Sequence, residues 1–209
     1  MMKTLYTYEN PAPSKDLLEI TRCLEDGGVM AYPTDVNWAF GCLANHKKAL
    51  KRLQGLRKSS DHPAPLALMF QDMSHISNYT YLDNHAFRLL KKWLPGPYTI
   101  LLKPHPRLGK LLPQKRPNVG VRIPKRPLLM EILPHLPCPL ATTTVFLPNK
   151  KDNTYLKPSS AYDIGQYFFY DIDLLLDLSI SLPMAETTVI SLSDHHPVLI
   201  RQGIAPFNI

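Results

Sequence analysis

Glycine is scarce in this chain, nine among 209 residues, and the nine never gather into a phosphate-binding loop. No G-x-x-x-x-G-K-[ST], no G-x-S-x-G and no H-E-x-x-H occurs. These absences exclude the P-loop cradle, the nucleophile elbow of α/β-hydrolases and the helical zinc site as motifs. Cysteine is scarcer still: Cys23, Cys42 and Cys138 are odd in number and contain no C-x-x-C pair. Neither a disulfide framework nor a zinc ribbon fits that pattern, and buried thiols are the simpler reading. Long apolar runs are missing too. No uninterrupted segment approaches the roughly 18 residues that span a bilayer, and "MMKTLYTYEN" lacks the apolar region of an export signal. A cytoplasmic protein without a membrane partner is expected.

What is present fits one ordinary folded domain, residues 1–209. A hydrophobic content of 44% is enough for a core. The formal charge of +7 and a pI near 9.3 favour an anionic partner such as a nucleotide, a phosphate group or RNA. The 21 prolines sit mostly at element ends, as in "WLPGPY" and "RIPKRP", which predicts many short elements with irregular connections.

Helical periodicity marks "SKDLLEITRCLEDGG", with Ser14 as cap and Gly27-Gly28 as its end, and "NHKKALKRLQGLRK", with Asn45 as cap. "DNHAFRLLKKWLPG" and "RPLLMEILPHL" follow the same pattern, the second with Pro127 in its first turn. Between them, "VMAYP", "PLALMF", "YTILLK", "VGVRIP" and "PLATTTVFL" read as strands. "TTVISL-SDHHP-VLIR" reads as a hairpin, and "LPNKKDNTYLKPSS" as a polar, turn-rich connection. Alternating helices and strands with one hairpin predict an α/β fold on a mixed sheet.

"VMAYPTDVNWAFGC" is the most informative stretch. Proline has no amide hydrogen and a fixed φ, so the ladder cannot simply continue through Pro33. The chain is expected to leave the sheet there, showing Thr34, Asp35, Asn37 and Trp38 before a terminating Gly41. Strand ends of this kind are where α/β proteins place ligands.

The candidate site residues are hydroxyls and guanidinium groups at strand ends: Thr34, Arg57, Arg122, Thr142 and Thr144 in the triple-threonine run, Thr188 and Arg201. Such groups suit phosphate or carboxylate ligands. Threonine is also an ordinary strand residue, and Arg122 and Arg201 are equally readable as surface arginines. Asp194 with His195 and His196 reads as an exposed turn in preference to a metal site, and no metal ligand is identified among the side chains.

Five segments in order, "YPTDVNWAFGC", "LPGPYTILLK", "VGVRIPKRPLLMEIL", "PLATTT" and "TTVISL...VLIRQG", resemble the YrdC-like family, above all its YciO branch, over nearly the whole chain. The resemblance implies a twisted open mixed sheet with flanking helices around a concave basic cavity. It also implies synthesis of L-threonylcarbamoyl-adenylate from L-threonine, bicarbonate and ATP with Mg²⁺, a step toward threonylcarbamoyladenosine in tRNA. On that basis Thr34 takes the threonine-site hydroxyl and Arg57 the arginine of the K-x-R motif, the two positions expected to serve catalysis. Arg122, Thr142, Thr144, Thr188 and Arg201 fall on substrate or nucleotide contacts.

The chain departs from the synthases at two positions. Gly55 stands at the lysine of K-x-R, with Lys58 one residue beyond Arg57 as a partial substitute, and Phe146 stands at the asparagine of S-x-N. Three functions follow: a nucleotide-binding relative with altered threonylcarbamoyl-adenylate chemistry, a module that binds double-stranded RNA or tRNA without catalysis, and a regulatory binder of a small anion.

Overall fold

The computed structural model describes residues 2–56, 66–112, 117–149, 152, 154–194 and 196–208. Twelve strands are present among them: β1 Lys3–Tyr6, β2 Met30–Pro33, β3 Trp38–Leu43, β4 Ala67–Met69, β5 Tyr98–Leu102, β6 Val119–Arg122, β7 Leu140–Thr144, β8 Leu147–Asn149, β9 Thr154–Leu156, β10 Leu174–Asp177, β11 Thr188–Ser191 and β12 Val198–Arg201. Six α-helices accompany them: α1 Ser14–Glu25, α2 Lys47–Gly55, α3 Met73–Ser77, α4 Asn84–Trp93, α5 Pro127–Ile132 and α6 Ala161–Phe168.

Ten strands form one mixed sheet in the order β1-β10-β2-β3-β7-β4-β6-β5-β11-β12, and β8 with β9 makes a separate hairpin. The α/β reading and the β11–β12 hairpin are therefore correct. Asp83 caps α4 by accepting a hydrogen bond from the Ala86 amide, and Pro127 opens α5. Two expected caps differ. Pro13 and not Ser14 precedes α1, and His46 and not Asn45 precedes α2, neither through a side-chain hydrogen bond. The polar connection after β7 holds the β8–β9 hairpin.

The expectation that the chain leaves the sheet at Pro33 is half right. It turns over residues 34–37 and returns as β3, antiparallel to β2. Gly41 is not a terminator but a mid-strand residue. A Cβ there would lie 2.8 Å from the Tyr32 ring, which crosses over β3, so only glycine leaves room.

The two faces of the sheet differ in chemistry. Residues opposite each other in neighbouring strands share a face, and side chains alternate along each strand. Phe40, Leu68, Val121 and Ile100 point to the side covered by helices and are buried there. The other face carries Gly41, Thr142, Ala67 and Gly120 in one row; Thr144 and Arg122 share that face two residues along strands of opposite direction, so they lie on opposite sides of the row. Small and hydroxyl side chains keep that face shallow. A Cβ on Gly120 would come within 3.0 Å of the Thr99 methyl.

Candidate active site

This shallow face is curled. In a flat sheet β2 and β6, separated by β3, β7 and β4, would lie roughly 19 Å apart at the usual strand spacing. Yet the turn after β2 touches the end of β6: Arg122 Nη2 donates to Asp35 Oδ1 at 3.0 Å. Twist accumulated over the intervening strands brings the hairpin tip over the face and makes it concave.

The turn itself is fixed from within. Thr34 is fully buried, and its hydroxyl donates to the Asn37 carbonyl at 2.7 Å while accepting from the amides of Val36 and Asn37 at 3.2 Å. These bonds add to the backbone bond that the Thr34 amide donates to the same Asn37 carbonyl at 2.9 Å. From outside, Arg126 donates from Nε and Nη2 to the Thr34 carbonyl at 3.2 and 2.9 Å and pairs with Glu9 at 3.1 Å. Asn37 donates to the Ala185 carbonyl, and the Ala185 amide donates back to Val36. The turn is thus held rigid, with Asp35 projecting from its tip.

Arg122 and Asp35 form an incompletely satisfied pair. Their side chains are 8% and 11% exposed, they share one hydrogen bond, and Arg122 Nε and Asp35 Oδ2 are buried without a partner among the described residues. A donor and an acceptor left unspent in one buried cluster call for a ligand or an ordered water. Nearby on the same face, Tyr32 donates from its hydroxyl to Thr142 Oγ1 at 2.7 Å. Burial, opposed by that hydrogen bond and by Arg122, pushes the Tyr32 pKa well above its ordinary value, so the phenol remains a donor. Thr144 lies two residues on, half-buried.

Thr188 and Arg201 are placed elsewhere. Thr188 pairs with Tyr98 on the helix-covered side, and its hydroxyl donates to the Ala205 carbonyl while accepting from the Gly203 amide at 3.0 Å. It fastens the C-terminal tail. Arg201 pairs with Glu186 at 3.1 Å and donates to the Thr187 carbonyl at 3.1 Å, on the outermost strand. Arg57, Lys58 and His195 lie outside the described residues. Among the described residues no group of three His, Cys, Asp or Glu side chains is placed to hold a metal ion. Charge at the hairpin tip is balanced there, Arg122 against Asp35 and Arg126 against Glu9.

Gly55 and Phe146, the two departures from the synthase pattern, meet in space. Both line a cavity of about 480 Å³ together with Arg52, Leu56, Phe168 and Asp171. Two contributors to the site escaped the sequence reading. Arg126 had as its only signal an arginine before a helix-opening proline, and Tyr32 shows its role only through the glycine it faces on the next strand.

A mixed α/β sheet curled around a pinned strand-end turn, with a buried arginine and carboxylate meeting at its tip, defines a protein of the open-sheet α/β class. The chain belongs to the Sua5/YciO/YrdC family, whose sequence model, described as telomere recombination, matches residues 22–203. YciO of Escherichia coli is 32% identical over 205 residues, 98% of this chain and 97% of that protein. Its crystal structure superposes with a TM-score of 0.87 over 99% of this chain and 98% of its own. A putative threonylcarbamoyl-AMP synthase of Methanocaldococcus jannaschii is 25% identical over 206 residues, 98% of this chain and 94% of that one. Sua5 of Pyrococcus abyssi, solved with L-threonine, shares the fold at a TM-score of 0.80 and 22% identity, over 97% of this chain and 58% of its own.

Proposed function

We propose that the concave face binds an L-α-amino acid beside ATP, and that the protein is a nucleotide-binding member of its family with chemistry related to threonylcarbamoyl-adenylate synthesis. The Arg122–Asp35 pair carries this reading. A zwitterionic amino acid offers a carboxylate to the unspent Arg122 Nε and an ammonium group to the unspent Asp35 Oδ2, matching both at once. Relatives named as threonylcarbamoyl-AMP synthases and a Sua5 structure holding L-threonine point to threonine as that amino acid.

The reaction needs no side-chain nucleophile. The threonine nitrogen, as free amine, bonds to the carbon of bicarbonate with loss of water, giving a carbamate. A carbamate oxygen then bonds to the α-phosphorus of ATP as the bond to the bridging oxygen breaks and pyrophosphate leaves. Every intermediate is anionic, so positioning and fixed positive charge would do most of the work. Arg122 would orient the amino acid, and Thr142 and Thr144 would face the phosphate path. Arg57 and Lys58 would add charge to that path, with Arg57 in the role the family resemblance gives it. Mg²⁺ would enter with the ATP and share the charge of its phosphates.

With Gly55 and Phe146 in place of lysine and asparagine, turnover is expected to be low. The direct test is to incubate the protein with ATP, Mg²⁺, bicarbonate and L-threonine and to detect pyrophosphate and the adenylate. Threonine- and bicarbonate-dependent product supports the reading, and pyrophosphate release indifferent to both removes it. A second reading rests on α2, which exposes Lys47, Lys48 and Lys51 along one stretch. Such a strip suits double-stranded RNA or tRNA through charge, and affinity should then fall steeply with salt.

A further inference from the structure

In an ordinary four-residue turn the Asn37 amide would bond the Thr34 carbonyl. Here that amide goes to the Thr34 hydroxyl at 3.2 Å, and the carbonyl instead accepts from both Nε and Nη2 of Arg126, at 3.2 and 2.9 Å. We infer that Arg126, oriented by Glu9, is a positioning residue that makes the concave face selective for an α-ammonium group by fixing where Asp35 stands. This selectivity rests on the reading of that face as an amino-acid site, to which it adds a determinant lying outside the site.

The relay is covalent geometry. A peptide unit is planar, so the plane that holds the Thr34 carbonyl also holds the nitrogen and Cα of Asp35. A guanidinium that grips the carbonyl with two N–H groups of its rigid fork therefore sets the base from which the Asp35 carboxylate projects.

Arg126 is itself held. Its Nη1 pairs with Glu9 Oε1 at 3.1 Å, and the second oxygen of that carboxylate accepts from the Leu128 amide in the first turn of α5 at 3.3 Å. Glu131 of α5 returns the grip, accepting from the amides of Ala12 at 2.9 Å and Asn10 at 3.4 Å. The Arg126 and Glu9 side chains are 15% and 21% exposed, shielded enough for charge-assisted bonds to hold a geometry. The segment before α1 and the start of α5 thus form a bracket behind the turn. In front of it, Asp35 Oδ2 is buried with no partner among the described residues and is open to a ligand's N–H.

A role exerted through Asp35 leaves a signature that lost stability or lost charge does not. (R)-3-Hydroxybutyrate is L-threonine without its amino group, so it can use Arg122 but not Asp35. Loosening the whole face weakens both acids alike. Removing a cation penalises the anionic hydroxybutyrate more than the zwitterionic threonine. Displacement of Asp35 weakens threonine selectively.

The test is calorimetric titration of the whole protein with both acids, on the parent, Arg126→Met, Glu9→Gln and Asp35→Asn. The parent is expected to bind L-threonine at least tenfold more tightly than (R)-3-hydroxybutyrate, and Arg126→Met to cut that ratio at least fivefold, as Asp35→Asn does. Glu9→Gln keeps the shape of the side chain and drops its charge, and is expected to cut the ratio at least twofold. A parent that binds neither acid, or both alike, removes the amino-acid reading and this selectivity with it. A parent that prefers L-threonine beside an Arg126→Met protein that keeps the preference overturns the role of Arg126 alone. Should Arg126→Met fail to fold, a ratio kept in Glu9→Gln overturns it in the same way.

Discussion

Arg122 Nη2 lies 3.0 Å from Asp35 Oδ1 although three strands stand between the elements that carry them. The pair therefore couples the curl of the sheet to the chemistry of its concave face. Removing one partner strands a buried charge, which costs about 3–5 kcal/mol in fully buried pairs. Arg122→Met is accordingly expected to lower stability in urea by about 3 kcal/mol, and Arg122→Met with Asp35→Leu to recover most of that loss. Equal stability of Arg122→Met and the parent would mean that the guanidinium serves only a ligand.

Gly41 faces the Tyr32 ring too closely for any side chain. Gly41→Ala should cost about 1–3 kcal/mol by overpacking. Shortening the ring in Tyr32→Val/Gly41→Ala should return part of it, so the two effects will not add. Thermal melts of the two single variants and the double variant measure this.

His75 gives the protein a pH dependence. Burial, partly offset by Asp72, holds its pKa below the ordinary value, and its Nδ1 is buried without a partner among the described residues. As pH falls through about 6.5 the unfolded chain takes up the proton first, so stability declines from there and levels off once the folded state also protonates. His75→Gln should flatten the stability profile between pH 7 and 5. An unchanged slope would assign it to other groups.

Gly55→Lys with Phe146→Asn restores the two polar residues of the synthase pattern. Lysine meets open space at position 55 and should favour the helix by several tenths of a kcal/mol. Phe146 is only half-buried, so its loss should be tolerated. The double variant is expected to make more threonylcarbamoyl-adenylate than the parent. A folded double variant with no gain would show that these positions do not limit the chemistry.

Much of this fold is legible in the sequence wherever apolar runs are bounded by turn residues. "PLALMF", "YTILLK", "PLATTT" and the β11–β12 hairpin are examples, and Asp83 and Pro127 mark their helices correctly. β1, only four residues of mixed polarity, has no such signal, and β10 is a three-leucine run between Asp173 and Asp177 with no turn residue of the glycine or proline kind at either end. Thr142 and Thr144 are recognisable as strand threonines, and the sheet register places them with Arg122 on the open face. The Arg122–Asp35 contact cannot be read from local pattern, because it depends on twist summed over several strands. The partners of Thr188 are equally illegible locally: its hydroxyl donates to the Ala205 carbonyl and accepts from the Gly203 amide, contacts made by the tail that follows β12.

L-Threonine binding tests the central claim most directly. Calorimetric titration should show saturable binding to the parent protein, weakened by about 1.5–3 kcal/mol in Arg122→Met, under conditions where that variant remains folded by circular dichroism. L-Threonine that binds the folded Arg122→Met protein as tightly as the parent, or that fails to bind the parent at all in the presence of ATP, would contradict the assignment of the concave face as an amino-acid site.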